Sequence, residues 1–228
     1  MTASRSSGGK TAKTADNAAD KAKTAAPASH NGAAPRAWQR MLSGRRLDLL
    51  DPSPLDIEIE DIAHGLARVA RWNGQTYGEH IFSVAQHTLL TEEVARRRIG
   101  GVDRRLALAL LLHDAPEYVI GDMISPFKVV MGGAYKAVEH RLLHAIHIRF
   151  GLPPDLPEEV VALIKAADRG AAFLEATTLA GFDASEARRF FGPRPTLPAA
   201  AEKDFLTPWP AEIANQRFLR RFAELPEA

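Results

Sequence analysis

An apolar run, Leu106 to Leu112, ends abruptly in His113-Asp114 and is followed by Pro116, Glu117 and Gly121-Asp122. Only leucine and alanine occupy the run, which predicts a helix that is apolar almost all round and buried on every side. An imidazole and a carboxylate at the end of such a helix are costly to bury unless they are paired or coordinated. The chain is thereby constrained to a helical core with a polar site at the end of its central helix.

The rest of the pattern supplies further helices. Ile62, Leu66, Val69 and Ala70 recur at helical spacing and predict a helix over Ile59–Ala70, with acidic residues in its first turn. Arg71-Trp72-Asn73-Gly74 ends it, with Gly74 suited to a left-handed cap. A second helix is expected over His80–Ile99 and is broken by Gly100-Gly101. Asp103 is the expected N-cap of the third, Arg104–His113. Helices over Ala134–Phe150, from Pro157 past Asp168 to Leu179, and over Ala211–Leu225 complete the set, with Gly192-Pro193-Arg194-Pro195 as a loop. Ser43-Gly44 reads as a turn, and no stretch shows the period-two alternation of a strand. The expected fold is all-α, with one compact helical domain over residues 37–228 behind a tail at 1–36.

That tail has no large apolar residue after Met1, so it cannot bury enough surface to offset its chain entropy and is expected to be disordered. Residues 1–35 hold five basic and two acidic side chains, which concentrates the basic character there. A solubilising extension is the expectation rather than a nucleic-acid-binding arm. The chain has no cysteine, which excludes disulfides, thiolate-bound metal and cysteine nucleophiles. Neither a membrane-spanning run nor the apolar core of a signal peptide is present, so a cytoplasmic protein without a membrane partner is expected.

Any metal must therefore be held by His, Asp or Glu. His113 and Asp114 offer two ligands from the helix end, and His87 and Asp168 offer two more. Asp168 interrupts an otherwise apolar helix, where a carboxylate calls for a partner or an ion. Two imidazoles and two carboxylates suit a divalent cation used as a Lewis acid. His80 lies seven residues before His87 and near the same face. A rival group, His140, His144 and His147, also shares one helix face but lacks the acidic residue of a HExxH pattern. Those three are assigned to a face turned to solvent or to a partner subunit.

These residues resemble the HD-domain metal-dependent phosphohydrolases, whose pattern is a histidine, a His-Asp doublet and a distant aspartate, all on helices. The match is closest to the bacterial 5′-deoxynucleotidases and related phage-type hydrolases. It is carried by Arg71-Trp72, Val84-Ala85-Gln86-His87, His113-Asp114-Ala115-Pro116-Glu117, Gly121-Asp122, Pro126 and Lys128. The resemblance selects His87 over His80 and implies metal ligation by His87, His113, Asp114 and Asp168. Mn, Co, Fe, Zn or Mg is the expected ion. It further implies Glu117 and Asp114 as catalytic residues, with Glu117 as base or orienter of water. Arg71 and Lys128 would then meet phosphate, Trp72 the base and Asp122 the sugar hydroxyl. Gln86 stands where the family usually has Glu, and a weakened contact near the metal is expected from it.

The resemblance implies release of phosphate from deoxynucleoside 5′-monophosphates by a homodimer. The alternatives are a dNTP triphosphohydrolase or another small phosphate-ester hydrolase, and a catalytically weak nucleotide-sensing module.

Overall fold

Nine α-helices and one two-stranded hairpin make up the described part of the computed structural model, which comprises residues 36–124, 127, 130 and 133–225. The fold is all-α. Residues 1–35 of the expected tail, Pro126 and Lys128 lie outside the described residues.

The hairpin pairs β1 (Trp38–Arg40) with β2 (Arg46–Asp48) across the turn at Ser43-Gly44. At three residues each, these strands are too short for an alternation to show in the sequence. Asp61 ties the turn to α1 (Ile59–Leu66), accepting bonds from the Ser43 amide at 3.0 Å and its hydroxyl at 2.5 Å. The first helix thus ends at Leu66 and does not continue to Ala70. After a turn at Ala67-Arg68 the chain is extended at Ala70, which bridges Ser83 while the Arg71 amide donates to Phe82 O at 2.8 Å. Both Trp72 (φ 57°, ψ 27°) and Asn73 (φ 52°, ψ 30°) then adopt left-handed backbone, ahead of Gly74 at φ 73°. Asparagine tolerates that region, whereas a tryptophan there costs about 1–3 kcal/mol and persists only where its surroundings impose it.

The second helix, α2 (Val84–Ile99), starts four residues later than expected. Ser83 caps it by accepting from the Gln86 amide at 3.2 Å, which leaves His80 off the helix altogether. Asp103 caps α3 (Arg104–Leu111), as its position suggests, accepting from the Leu106 amide at 2.8 Å. This central helix closes at Leu111, two residues before the doublet. Pro116 has no N–H to give the Leu112 carbonyl, so the Ala115 amide takes that carbonyl in a tighter turn at 3.0 Å. A single turn of helix, α4 (Glu117–Ile120), follows. Gly65 lets α1 lie directly on it, because a Cβ there would meet Tyr118 Cβ and O at 2.8 Å.

Helix α5 (Gly133–Arg149) leads to α6 (Glu158–Thr178), whose 21 residues make it the longest element described. Helix α2 packs most extensively on α6. Gly170 permits the approach, since a Cβ there would stand 3.0 Å from Val94 Cγ1. Two short helices, α7 (Ala184–Phe191) and α8 (Ala199–Phe205), precede α9 (Ala211–Ala223). Leu90, Leu108, Leu110, Leu111, Phe173 and Phe218 form the centre of a single hydrophobic core.

Candidate metal centre and its surroundings

Helix α2 presents His87, fully buried, to the turn after α3 and to the middle of α6. Its Nε2 lies 3.4 Å from Asp114 Oδ2 and 3.3 Å from Asp168 Oδ1. His113 Nε2 lies 3.2 Å from the same Asp114 oxygen. One ligand atom from each of His87, His113 and Asp168 falls within 4.8 Å of the others. Four side chains from three separate elements thus converge on one point.

The outward nitrogens explain the orientation of both rings. Nδ1 of His87 lies 2.5 Å from Glu175 Oε1, and Nδ1 of His113 lies 2.7 Å from the Leu110 carbonyl. Each of those oxygens is placed to accept a hydrogen bond from Nδ1–H, which in the neutral ring leaves Nε2 with a lone pair directed at the convergence point. Nε2 of His113 is buried and makes no hydrogen bond among the described residues, although Asp114 stands beside it. Two imidazole nitrogens and two carboxylates gathered at one point fit a cation, with the Thr91 hydroxyl 3.5 Å from His87 Nε2 as a neighbouring donor. The 3.2–3.4 Å spacings match the edges of a coordination shell whose ligand atoms sit about 2.1 Å from the ion.

Charge follows from the same crowding. Burial and the Arg71 guanidinium oppose a charged His87, yet Glu175, Asp114 and Asp168 outweigh them and hold its pKa well above the ordinary histidine value. Burial also opposes a charged His113, but Asp114 raises its pKa. Against the effect of burial, the neighbouring imidazoles hold Asp114 well below the carboxylate range and lower Asp168 as well. The centre therefore keeps its carboxylates ionised.

Glu175 is the residue that the sequence pattern did not single out. It is fully buried on α6, seven residues after Asp168 and so on nearly the same helix face. Its Oε2 accepts from Trp72 Nε1 at 2.9 Å and from Arg71 Nε and Nη2, both at 3.4 Å. Burial alone would raise its pKa, but His87 and Arg71 bring it down to about 2. A lone Glu in Ala-Ala-Phe-Leu-Glu-Ala, in phase with Asp168, was the signal available.

Arg71 also donates to Asp122 Oδ2 at 3.3 Å, so it bridges Asp122 and Glu175. Its guanidinium is held fully charged by those carboxylates in spite of its burial. The ring of Trp72 packs against Phe182 and Phe191, with centroids 5.6 and 5.8 Å away. The left-handed turn is what brings the Trp72 indole to Glu175. Arg71, Trp72 and Asp122 thus form one polar group with Glu175 behind His87.

Gln86 has no contact with the metal ligands. It is fully buried, donates from Nε2 to the Phe205 and Thr207 carbonyls at 2.8 Å each, and accepts from the Trp209 amide at 2.9 Å. It fastens the segment between α8 and α9 to α2. A glutamate in this orientation would face two carbonyl oxygens with no proton to give them, so glutamine suits the position and the expected weakening at the metal is withdrawn.

A cavity of about 430 Å³ opens at the centre, with His113, Asp114, Glu117 and Asp168 in its wall. Glu117, almost fully buried, stands one turn beyond the doublet because Pro116 starts α4 there. The opposite wall carries Lys136, Glu139, His140 and His147 of α5, and Lys165 completes the rim. The three-histidine face is therefore split. His147 is buried, with Nδ1 3.0 Å from the Pro154 carbonyl, because α5 turns it inward rather than towards solvent or a subunit. His140 and His144 meet Asp155 at 3.5 and 2.9 Å on the outside.

Comparison with known proteins places this geometry. Residues 63–186 match the model of the 5′-deoxynucleotidase YfbR-like family, a span that holds the four candidate ligands, Glu117, Glu175 and the Arg71-Trp72 turn. The chain is also 61% identical over 163 residues to an uncharacterized protein of Rhodobacter capsulatus, covering 71% of this chain and 83% of that protein. The chain belongs to the YfbR-like 5′-deoxynucleotidase family, a family of HD-domain phosphohydrolases.

Proposed function

We propose that the protein is a divalent-metal-dependent phosphomonoesterase that releases phosphate from deoxynucleoside 5′-monophosphates. The observation that carries this reading is the convergence of two buried imidazole Nε2 atoms and two carboxylates, three of these groups (His113, Asp114 and Asp168) lining a cavity that also holds Glu117. His87, His113, Asp114 and Asp168 would hold the cation. Bound there, a divalent ion supplies Lewis-acid charge for the phosphoryl group and lowers the pKa of water.

The chain's own groups do the rest. Glu117 accepts a proton from the attacking water as the new P–O bond forms on the face opposite the leaving O5′. The P–O5′ bond breaks, and the proton passes to the departing alkoxide. Asp114 stays ionised throughout, as its two imidazole neighbours require. Arg71 has five N–H donors and commits three to Glu175 and Asp122, which leaves two for a phosphate oxygen. Asp122 is the residue proposed to meet the deoxyribose, Trp72 the base, and Lys128 the phosphate. The protein is read as a cytoplasmic homodimer with a nucleotide substrate and no nucleic-acid or membrane partner. No helix among the described residues is long and apolar enough to cross a membrane. Lys136 and Lys165 on the cavity wall favour, as the second reading, a longer phosphate chain.

The test is to strip the purified protein of metal and assay dNMP, NMP, dNTP and cyclic nucleotides with Mn, Co, Mg and Zn. Orthophosphate from dNMPs, restored by metal, is the expected result. Tripolyphosphate released from dNTPs with no dNMP turnover would establish the second reading instead.

A further inference from the structure

A second cavity, of about 690 Å³, lies elsewhere and shares no residue with the one at the metal centre. Six arginines line it: Arg97 and Arg98 from the end of α2, Arg169 from α6, Arg188 and Arg189 from α7, and Arg194 from the loop beyond. No aspartate or glutamate is among its wall residues. The whole chain carries a net charge of only +1, so this is a local separation of charge and not a reflection of a basic protein.

Two of the six have partners outside the cavity. Arg97 donates to Glu93 at 2.7 Å, and Arg194 to Glu202 at 2.8 Å. Arg98, Arg169, Arg188 and Arg189 make no ion pair among the described residues. Four cations held round one concavity repel one another, and an anion within it would relieve that repulsion. Guanidinium groups on three sides suit phosphate, whose oxygens they bind two at a time. The volume lies in the range of small-molecule sites, roughly 300–1,000 Å³. A nucleic-acid surface would instead extend its charge along a stripe. Phe190 adds an exposed aromatic face to the wall, with the Arg189 guanidinium 4.8 Å from its centroid.

We infer that the cavity between α2, α6 and α7 is a binding site for a polyphosphate anion, separate from the metal centre. Its ligand carries at least two phosphates, and Phe190 offers a stacking surface to a base where one is attached. Helix α6 serves both cavities, with Ala166, Arg169 and Gly170 on one and Ile164, Lys165 and Asp168 on the other.

Isothermal titration of the full chain in metal-free buffer at 150 mM salt tests this, with inorganic tripolyphosphate as the probe. Tripolyphosphate should bind at one site per chain, roughly tenfold or more tighter than orthophosphate. The exposed pair Arg188→Ala/Arg189→Ala should weaken it by roughly tenfold or more with dNMP hydrolysis unchanged, and Arg188→Lys/Arg189→Lys should retain part of the affinity. Asp114→Asn at the metal centre should leave it unaltered. dATP tighter than tripolyphosphate, with the gain lost in Phe190→Ala, would identify a nucleoside polyphosphate as the ligand. Equal affinities would identify the bare polyphosphate. Absence of binding, binding indifferent to the arginine pair, or binding lost in Asp114→Asn would overturn the inference. So would a single-stranded oligonucleotide that binds more tightly through the same arginines.

Discussion

Among the described residues, two groups of histidines and aspartates bring ligand atoms within 4.8 Å of one another, and they are built differently. At the inner one, His87 is fully buried and each ring is fixed through its far nitrogen, by Glu175 and by the Leu110 carbonyl. At the outer one, His140 and His144 sit on successive turns of α5 and share Asp155, which is 77% exposed. Water can replace any of the outer contacts. The inner rings are held by partners from the protein itself, so coordination there costs little further ordering. Residue types and spacing are similar in both groups; what separates them is the layer of partners behind the ligands.

The strongest way to break this contrast is to remove one member of each. His87→Ala should lower phosphate release by roughly a thousandfold or more and abolish stoichiometric metal, read by elemental analysis of the purified protein. An active His87→Ala enzyme would return the outer group to contention. Glu117→Gln comes next, with turnover reduced by roughly 10²–10⁴-fold and metal content unchanged. Retained turnover would show that Glu117 is not the base.

Glu175→Gln sharpens the comparison, because it alters only the layer behind. Metal affinity should fall about 10–100-fold. It should also change acid stability. The Glu175 carboxyl titrates at about 2 in the fold against 4.5 for an ordinary glutamate, so its contribution is present above pH 4.5 and is lost as pH falls towards 2. The size is on the order of 3 kcal/mol. Chemical denaturation between pH 5 and 2.5 should therefore show a shallower loss of stability in the variant; an identical slope would mean that Glu175 is not held ionised. The smallest effect is expected from His140→Ala with His144→Ala, less than about twofold on metal content and about 0.5 kcal/mol or less on stability, as for most exposed positions.

How far the sequence reveals this fold depends on how strongly each segment is patterned. The Leu106–Leu112 run and the period of α5, α6 and α9 announce themselves because each buries several large side chains on one stripe. Helices α7 and α8 escape because they are only about two turns long and place few apolar residues on the core. The Asp183 cap, which accepts from both Ser185 and Glu186 amides at 2.8 Å, was the clearest signal for α7. At the site, the converging ligands are legible as residue types out of place in apolar helices. Gln86 and Arg71 are not, since nothing in a helical period states which partner a long polar side chain will reach. Trp72 is harder still, because its position depends on a left-handed backbone that propensity argues against.

Asp168 and Glu175 share one face of α6 two turns apart, and that has a consequence for how this helix can change over generations. Losing one residue between them would carry Ala176 into the place of Glu175, and gaining one would carry Leu174 there, each a rotation of about 100°. Single-residue insertions and deletions between positions 169 and 174 should therefore be far less tolerated than substitution of Arg169, the exposed residue of that stretch. Along that stretch the helix is fixed in length as well as in most of its side chains, since Gly170 to Leu174 are all buried.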